Sequence, residues 1–139
     1  MTTELLSFEW PIRVYYEDTD AGGVVFYANY LKFMERARTE WLRQMGIEQD
    51  LFLTQGIAFM VRRTEVDYRA PAVFNDELIV VSQIVQKKRA SLIFQQTIQR
   101  KNEVSAIVTG QVTIACVDLE RGKPIAIPKS IMEVLARVG

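Results

Sequence analysis

The chain has 139 residues, with 17 basic and 17 acidic side chains, no histidine and one cysteine. This length suits one domain, residues 1–139. A folded domain of this size buries about two thirds of the surface that the unfolded chain exposes. The formal net charge is zero. Because the chain has no excess of the basic residues that drive phosphate binding, no nucleic-acid partner is predicted. No apolar run approaches the roughly 18 residues of a membrane span, and residues 1–9 lack signal-peptide regions, which predicts a cytoplasmic protein without membrane insertion.

The absence of histidine removes several hydrolase mechanisms from this chain. Ser-His-Asp and Cys-His hydrolysis need an imidazole base, and zinc motifs such as H-E-x-x-H need two imidazoles. The single cysteine, Cys116, falls on the apolar register of a predicted strand, where cysteine usually behaves as a small hydrophobe. Catalysis is therefore expected to depend on carboxylates, and no cofactor is predicted.

The first predicted element is a strand over residues 10–16. Ile12 and Val14 lie on one face and Arg13 and Tyr15 on the other, which is the alternation of a half-buried strand. Three acids follow the strand, Glu17, Asp18 and Asp20, and then a pair of glycines, Gly22 and Gly23.

A long helix follows, with an amphipathic period that begins near Ala28 and ends at Met45–Gly46, because glycine is typical of a helix end. About half of its circumference is apolar, which predicts packing against a sheet. The apolar arc consists of Tyr27, Tyr30, Leu31, Phe33, Met34, Ala37, Trp41, Leu42 and Met45. Arg38 is the one charged residue within this arc, and Arg36 and Glu40 are expected to pair on the polar face.

Strands dominate the rest of the chain, after a short helix or loop at residues 48–55. In the strand at residues 57–68 the apolar residues change face midway, which predicts a bulge near Arg62–Arg63. A turn at Asn75–Asp76 leads to a strand at residues 77–85 that is apolar on both faces, which predicts a central position or burial under a partner subunit. Since one helix covers only one face of such a sheet, we predict a homo-oligomer, either a dimer or a tetramer.

The last strands form a predicted antiparallel hairpin. Residues 91–99 alternate in polarity, and beyond a turn at residues 101–103 one apolar register continues from Val104 to Cys116. Ser130 and Glu133 are expected to form a capping box for a closing helix. The apolar side of that helix is formed by Ile131, Val134, Leu135 and Val138. This order of elements predicts an α+β fold, with an antiparallel sheet wrapped around one long central helix.

The segment before the long helix is the predicted active site. It brings acids beside a helix start, where unpaired backbone N–H groups with partial positive charge can hold a developing oxyanion. Gly22 and Gly23 allow a sharp turn and a close approach of a ligand to the main chain. Asp18 and Asp20 alone are too few oxygen ligands to predict a metal site. Asp18 is alternatively expected to fix the turn by accepting hydrogen bonds from nearby backbone N–H groups.

The string YEDTDAGGVVFYANY, followed by the E-R-A-R helix, resembles the 4-hydroxybenzoyl-CoA thioesterase family of hotdog-fold proteins, and especially its Tol-Pal-associated acyl-CoA thioesterase branch. The later segments YRAPAVFNDEL and IPKSI extend this resemblance along nearly the whole chain. It implies a hotdog fold, with Asp20 as the catalytic carboxylate and the Tyr27 backbone N–H polarising the thioester carbonyl. We place Gly23 and Val24 with the substrate-binding residues. Many members of that branch have His where this chain has Tyr27.

Two alternative catalytic residues lie on the long helix. Other hotdog thioesterases place a catalytic Glu there, which makes Glu35 and Glu40 the second candidates, although both fall on its polar arc.

Two basic clusters are candidates for binding the phosphates of coenzyme A. Lys87, Lys88 and Arg89 occupy a turn just before Ser91, and the 4-hydroxybenzoyl-CoA enzyme uses a similar basic turn to contact the nucleotide. The second cluster contains Arg121 and Lys123. The alternative is that these charges only keep exposed turns soluble.

The sequence thus predicts an acyl-CoA thioesterase in which Asp20 attacks the carbonyl or activates a water. An acyl-carrier-protein thioester is the alternative substrate. Two other interpretations stay open at this point, a hotdog module that binds acyl-CoA or an acyl carrier protein without hydrolysis, and a purely structural oligomer.

Overall fold

Six antiparallel strands form one sheet in the computed structural model, which describes residues 7–137. The order across the sheet is β1-β3-β4-β5-β2, and β6 pairs with β5. The strands are β1 (Phe8–Arg13), β2 (Ile57–Tyr68), β3 (Glu77–Lys87), β4 (Ser91–Arg100), β5 (Ala106–Asp118) and β6 (Lys123–Pro124). The helices are α1 (Asn29–Gln44), α2 (Gln49–Leu53) and α3 (Lys129–Leu135). The predicted α+β class with one long central helix is confirmed.

Helix α1 packs its apolar arc into the concave face of the sheet. Trp41 stacks on Phe8 of β1 at a centroid distance of 5.9 Å and meets Phe94 of β4 edge-on at 6.1 Å. On β5, a Cβ added to Gly110 would lie 3.1 Å from the Met34 Cε. The helix therefore approaches the sheet so closely that this strand position has no room for a side chain.

The predicted strand at residues 10–16 differs in its bounds from β1, which ends at Arg13. A 3₁₀ turn at Tyr16–Asp18 follows, closed by the Asp18 N–H, which donates to the Tyr15 carbonyl over 3.0 Å. The predicted faces are confirmed, since Ile12 and Val14 are buried and Arg13 is exposed.

The predicted bulge in β2 is confirmed as a shift of register between Val61 and Arg63 against β5. Strand β3 has a neighbour on each side, so its predicted central position is also confirmed. Leu78 and Val80 face the core, whereas Val85 on the outer face is about half exposed.

Two predictions at strand and helix ends are wrong. Val104 is 95% exposed and lies outside β5, because the left-handed turn at Asn102 (φ 67°) carries the chain away from the sheet before Ala106. Ser130 does not cap α3, because the helix begins earlier, with Pro128 as its N-cap and the Pro128 carbonyl accepting the first helical hydrogen bonds. Val138, assigned to this helix from the sequence, lies outside the described residues.

The predicted Arg36–Glu40 pair is also wrong. Glu40 instead forms an ion pair with Arg43 at 2.6 Å, while the Arg36 guanidinium lies 6.0 Å from the centroid of the Phe33 ring. Both arrangements are solvent-facing and contribute little to stability. None of the helices in residues 7–137 combines the length and the apolar character that crossing a membrane requires.

Candidate active site

Asp20 lies at the tip of a small hairpin between the 3₁₀ turn and α1. Thr19 bridges Val25 across this hairpin, and the Asp20 N–H donates to the Val24 carbonyl over 2.9 Å. The Gly23 N–H closes the turn by donating to the Asp20 carbonyl over 3.0 Å. Gly23 has a φ of +83°, which strains any residue with a Cβ, so glycine is needed for this turn.

The Asp20 carboxylate is exposed and held by one oxygen. Its Oδ1 accepts a hydrogen bond from the Gly22 N–H over 2.8 Å. A Cβ at Gly22 would lie 3.2 Å from that oxygen, so a larger residue would press on the carboxylate. Within residues 7–137, no donor bonds the Asp20 Oδ2 and no cation pairs with it. The carboxylate is therefore oriented, and one of its oxygens can meet a ligand or a water.

Asp18 has a different role from Asp20. It is 7% exposed, its Oδ2 accepts from the Tyr15 N–H over 2.8 Å, and its Oδ1 accepts from the Asn29 Nδ2 over 2.9 Å. The Asp18 carbonyl also accepts from the Phe26 N–H over 2.9 Å. Both carboxylate oxygens are occupied, so this side chain ties the hairpin to the first residue of α1, as the alternative role for Asp18 predicts.

Tyr27 follows the returning strand of this hairpin, two residues ahead of α1. The neighbouring amides are bonded, since the Asn29 N–H donates to the Phe26 carbonyl over 2.8 Å. Over the described residues, the Tyr27 and Ala28 N–H groups have no acceptor. Because the start of a helix carries partial positive charge, these two free donors form a candidate oxyanion site.

Aromatic side chains surround this helix start, and of those described here Tyr27 was predicted from the sequence to belong to the site, whereas Tyr30 and Tyr68 were not. The Tyr27 ring is 62% exposed and meets the edge of Tyr68 at a centroid distance of 6.0 Å. The Tyr30 hydroxyl accepts from the Ala72 N–H over 3.0 Å, which fixes the segment before β3 against α1. Burial raises the pKa of the Tyr30 and Tyr68 phenols, so both stay neutral. The YRAPAVFNDEL segment was the sequence signal for Tyr68.

An open cleft of about 720 Å³ is lined by residues that precede the hairpin and by residues just before β3. Tyr16 and Phe74 form its aromatic wall, with ring centroids 5.9 Å apart. Both rings are largely exposed. The cleft therefore offers apolar surface beside the Asp20 hairpin.

The basic residues lie at the opposite end of the sheet from Asp20. The Asp20 hairpin adjoins the start of β3, because Val24 bridges Val73 and the Val14 N–H donates to the Asp76 carbonyl. Lys87 is the last residue of this 11-residue strand, which spans about 33 Å at roughly 3.3 Å per residue. Within one chain, the structure therefore does not bring Asp20 near the Lys87 turn.

The two basic clusters lie at the same end of the sheet. The Arg89 carbonyl accepts from the Ile127 N–H over 2.9 Å, which joins the Lys87–Arg89 turn to the segment after Lys123. The Lys87 Nζ donates to the Leu135 carbonyl over 2.9 Å at the end of α3. Lys88 and Arg89 are in the turn itself, whereas Ser91 is buried at the start of β4.

The second candidates on α1 bond other side chains of the same helix, and the cysteine is buried. Glu35 accepts from the Thr39 hydroxyl over 2.6 Å, and Glu40 pairs with Arg43. Cys116 is buried, and this burial raises the pKa of its thiol, which opposes thiolate chemistry as predicted. In the part of the chain that the structure describes, no three acidic or thiol side chains cluster to hold a metal ion.

Comparisons with known proteins identify the family and agree with the fold. The family model of the thioesterase-like superfamily matches residues 14–135. The acyl-CoA thioester hydrolase YbgC of Escherichia coli O6:H1 is 46% identical over 125 residues, covering 90% of this chain and 92% of the relative. The acyl-CoA thioesterase YbgC of Haemophilus influenzae is 45% identical over 125 residues, covering 89% and 90%.

Solved structures give the same result. A probable thioesterase from Bartonella henselae is 35% identical with a TM-score of 0.80, covering 88% of this chain and 99% of that one. A 1,4-dihydroxy-2-naphthoyl-CoA thioesterase from Synechocystis is 23% identical with a TM-score of 0.87, covering 94% and 96%, and this second likeness concerns the fold. The chain therefore belongs to the thioesterase-like superfamily of hotdog-fold proteins.

Proposed function

We propose that this protein hydrolyses acyl-CoA thioesters, with Asp20 as the catalytic carboxylate and the Tyr27 N–H as an oxyanion donor. The observation that carries the proposal is the pairing, on one hairpin, of an oriented carboxylate with one free oxygen and a free amide at a helix start. Relatives at 45–46% identity that bear the name of this activity support it.

The chemistry follows from these two groups. The thioester oxygen becomes negative as the carbonyl carbon is attacked, and donors already pointing at it lower the barrier. Asp20 either removes a proton from the attacking water or attacks the carbon itself to give a mixed anhydride that water then hydrolyses. In both routes the C–S bond breaks, the acid leaves as a carboxylate, and the coenzyme A thiolate takes a proton from solvent.

Substrate binding is proposed to need more than one chain. In this proposal Lys88 and Arg89 bind the phosphates of the coenzyme while Asp20 acts on its thioester. Within one chain these two groups adjoin opposite ends of β3, which is about 33 Å long, yet they must contact the same ligand. Two copies can supply them, one giving the hairpin with Gly23 and Val24 and the other giving the basic turn with Lys87. Ser91 and Lys123 belong to that same end, and the burial of Ser91 favours a supporting role for it.

The edge strand β2 supports such an assembly. It ends the sheet order, and no strand within residues 7–137 pairs with its outer side. It has 12 residues, and Met60 and Val61 on it are exposed. Long exposed edges with apolar side chains favour pairing with another chain, so we propose a homo-oligomer, whether dimer or tetramer.

The test is free-thiol release from a panel of acyl-CoA thioesters, compared with the same acyl groups on acyl carrier protein. We expect thiol release from acyl-CoA with a kcat/KM that depends on the acyl group. Thiol release from the carrier-protein thioesters alone would mean that the substrate is an acyl-carrier-protein thioester and not acyl-CoA. Binding of acyl-CoA without any thiol release would favour the non-hydrolytic module. The cytoplasmic location predicted from the sequence stays a prediction.

A further inference from the structure

The small hairpin before α1 pairs with a loop, residues 71–76, that leads into β3. Val24 of the hairpin bridges Val73 of the loop, and the Val25 N–H donates to the Ala72 carbonyl over 2.9 Å. Apart from this isolated bridge, the loop belongs to no helix or strand. The position of the hairpin therefore depends on the contacts that hold the loop in place.

Arg100, the last residue of β4, contacts both ends of this loop. Its Nη2 donates to the Pro71 carbonyl, and its Nε lies 3.5 Å from the Asp76 Oδ2. Its Nη1 lies 3.7 Å from the Glu103 Oε1, in the turn that follows β4. The guanidinium presents these nitrogens in a rigid planar fork, so one side chain fixes the two ends of the loop relative to the sheet.

Contacts within the loop connect this guanidinium to the catalytic carboxylate proposed above. The Asp76 Oδ2, which faces the guanidinium, also accepts a hydrogen bond from the Val73 N–H over 2.9 Å. Val73 bridges Val24, and the Val24 carbonyl accepts from the Asp20 N–H over 2.9 Å. An unbroken series of direct contacts therefore runs from β4 through the loop to the backbone of Asp20.

Two other side chains hold the loop, but each contacts it at one point. The Tyr30 hydroxyl accepts from the Ala72 N–H in the middle of the loop. Arg13 donates to the Asn75 carbonyl over 2.8 Å, but its side chain is 48% exposed and is shared with an ion pair to β3. The Arg100 side chain is 31% exposed, so solvent screens its contacts less. In the described part of the chain, Arg100 is the one side chain that bonds both ends of the loop.

We propose that Arg100 is a positioning residue for the hydrolysis, an inference that rests on the proposed role of Asp20. All three nitrogens of its guanidinium contact protein groups, so it acts through the hairpin and not on the substrate. Because a displacement of about 1 Å can lower a rate by about 10²-fold, a loosened hairpin should lower kcat. KM should change little, because the basic turn proposed to bind the coenzyme adjoins the other end of β3.

The first test compares kcat and KM for acyl-CoA at a temperature where every variant is folded. Arg100→Met keeps the aliphatic stem and removes the fork, so kcat should fall by about tenfold or more while KM stays within about twofold. Arg100→Lys returns a charge beside Asp76 and should have a kcat several-fold above that of Arg100→Met. Lys101→Met is the matched control, because the Lys101 ion pair is with Glu77 on β3, and its kcat should stay within about twofold of wild type.

Amide hydrogen exchange gives a second readout that does not depend on activity. The Val14 and Val25 N–H groups donate to carbonyls of the loop, whereas the Cys116 N–H is bonded at the other end of the sheet. In Arg100→Met, exchange at Val14 and Val25 should become about tenfold faster while exchange at Cys116 stays as in the wild type. A residue that only adds to global stability would change all three amides together.

Asp76→Asn covers the case in which Arg100→Met fails to fold. It keeps an oxygen for the Val73 N–H and loses the charge that faces Arg100, so it should show the same selective exchange and a smaller loss of kcat. The proposal is overturned if folded Arg100→Met keeps the wild-type kcat, if its loss appears only in KM, or if the three amides change equally. A wild type that releases no thiol from acyl-CoA would refute the proposed function and, with it, the catalytic role of Arg100, whereas selective exchange would still show that Arg100 holds the hairpin.

Discussion

The substitution Asp18→Asn tests the claim that this residue is a structural tie and not a catalytic group. The amide has the size of the carboxylate, but one of its two terminal atoms becomes a donor. Because the Tyr15 N–H and the Asn29 Nδ2 are both donors that point at Asp18, one of them must then face another donor in a buried site.

The expected destabilisation can be worked out from these contacts. Losing one hydrogen bond to a charged acceptor costs about 1.5–3 kcal/mol, and leaving its partner unsatisfied adds a desolvation penalty of about 1 kcal/mol, which gives a total of about 2.5–4 kcal/mol. Unfolding entropy of roughly 2.1 cal/mol/K per residue over 139 residues is about 0.29 kcal/mol/K. The Tm should therefore fall by about 9–14 °C.

Thermal unfolding followed by circular dichroism, at one fixed protein concentration, is the assay, since subunit association also changes Tm. Glu17→Gln is the matched control, because it makes the same chemical change at an exposed neighbour for which the structure shows no ion pair, and its Tm should stay within about 2 °C of wild type. A wild-type Tm for Asp18→Asn would refute the reasoning. At a temperature where both fold, kcat of Asp18→Asn should fall less than that of Asp20→Asn.

Three further predictions follow from the proposed site. Replacing Lys88 and Arg89 together with Glu, while keeping Lys87 and its bond to α3, should raise KM for acyl-CoA several-fold and leave turnover of a pantetheine thioester nearly unchanged; equal losses on both substrates would assign the turn to folding. Tyr27→Phe should lower kcat only slightly, whereas Tyr27→Pro removes the backbone donor and should lower kcat strongly while the helical circular dichroism signal stays intact. A large loss of kcat in Tyr27→Phe would mean that the phenol takes part. Light scattering should give at least twice the 16.0 kDa of one chain, and a monomer at micromolar concentration would contradict the two-chain site.

Local sequence patterns predicted the elements around the hairpin because short-range physics determines them. The change of apolar register in β2 indicated its bulge, and Gly23 and Gly46 marked a turn and a helix end, where both have positive φ. The capping pattern at Ser130 failed, since it matches the helix-start spacing but Pro128 begins the helix two residues earlier. The prediction that Val104 belongs to the strand failed, because alternating apolar residues do not show where a turn returns the chain to its partner strand.

Long-range placement was harder to predict. Asp20 and Tyr27 are seven positions apart, so the sharp turn that brings the acid beside the helix start could be inferred from the chain itself. The separation of Asp20 from the Lys87 turn depends on which end of β3 each adjoins, which only the sheet topology reveals. Arg38 stood out as the one charge in the apolar arc, but its contact with Gln96 joins residues 58 positions apart, and no local pattern indicates such a partner.

The kcat of Asp20→Asn for acyl-CoA hydrolysis tests the central claim most directly. The substitution keeps the size of the side chain and an oxygen for the Gly22 N–H, so the hairpin should fold as in the wild type. Removal of the base or nucleophile should lower kcat by roughly 10²-fold or more, whereas Glu17→Gln, its exposed neighbour, should keep wild-type activity. If Asp20→Asn hydrolyses acyl-CoA at the wild-type rate, Asp20 is not the catalytic carboxylate, and the assignment moves to Glu35 or Glu40 on α1.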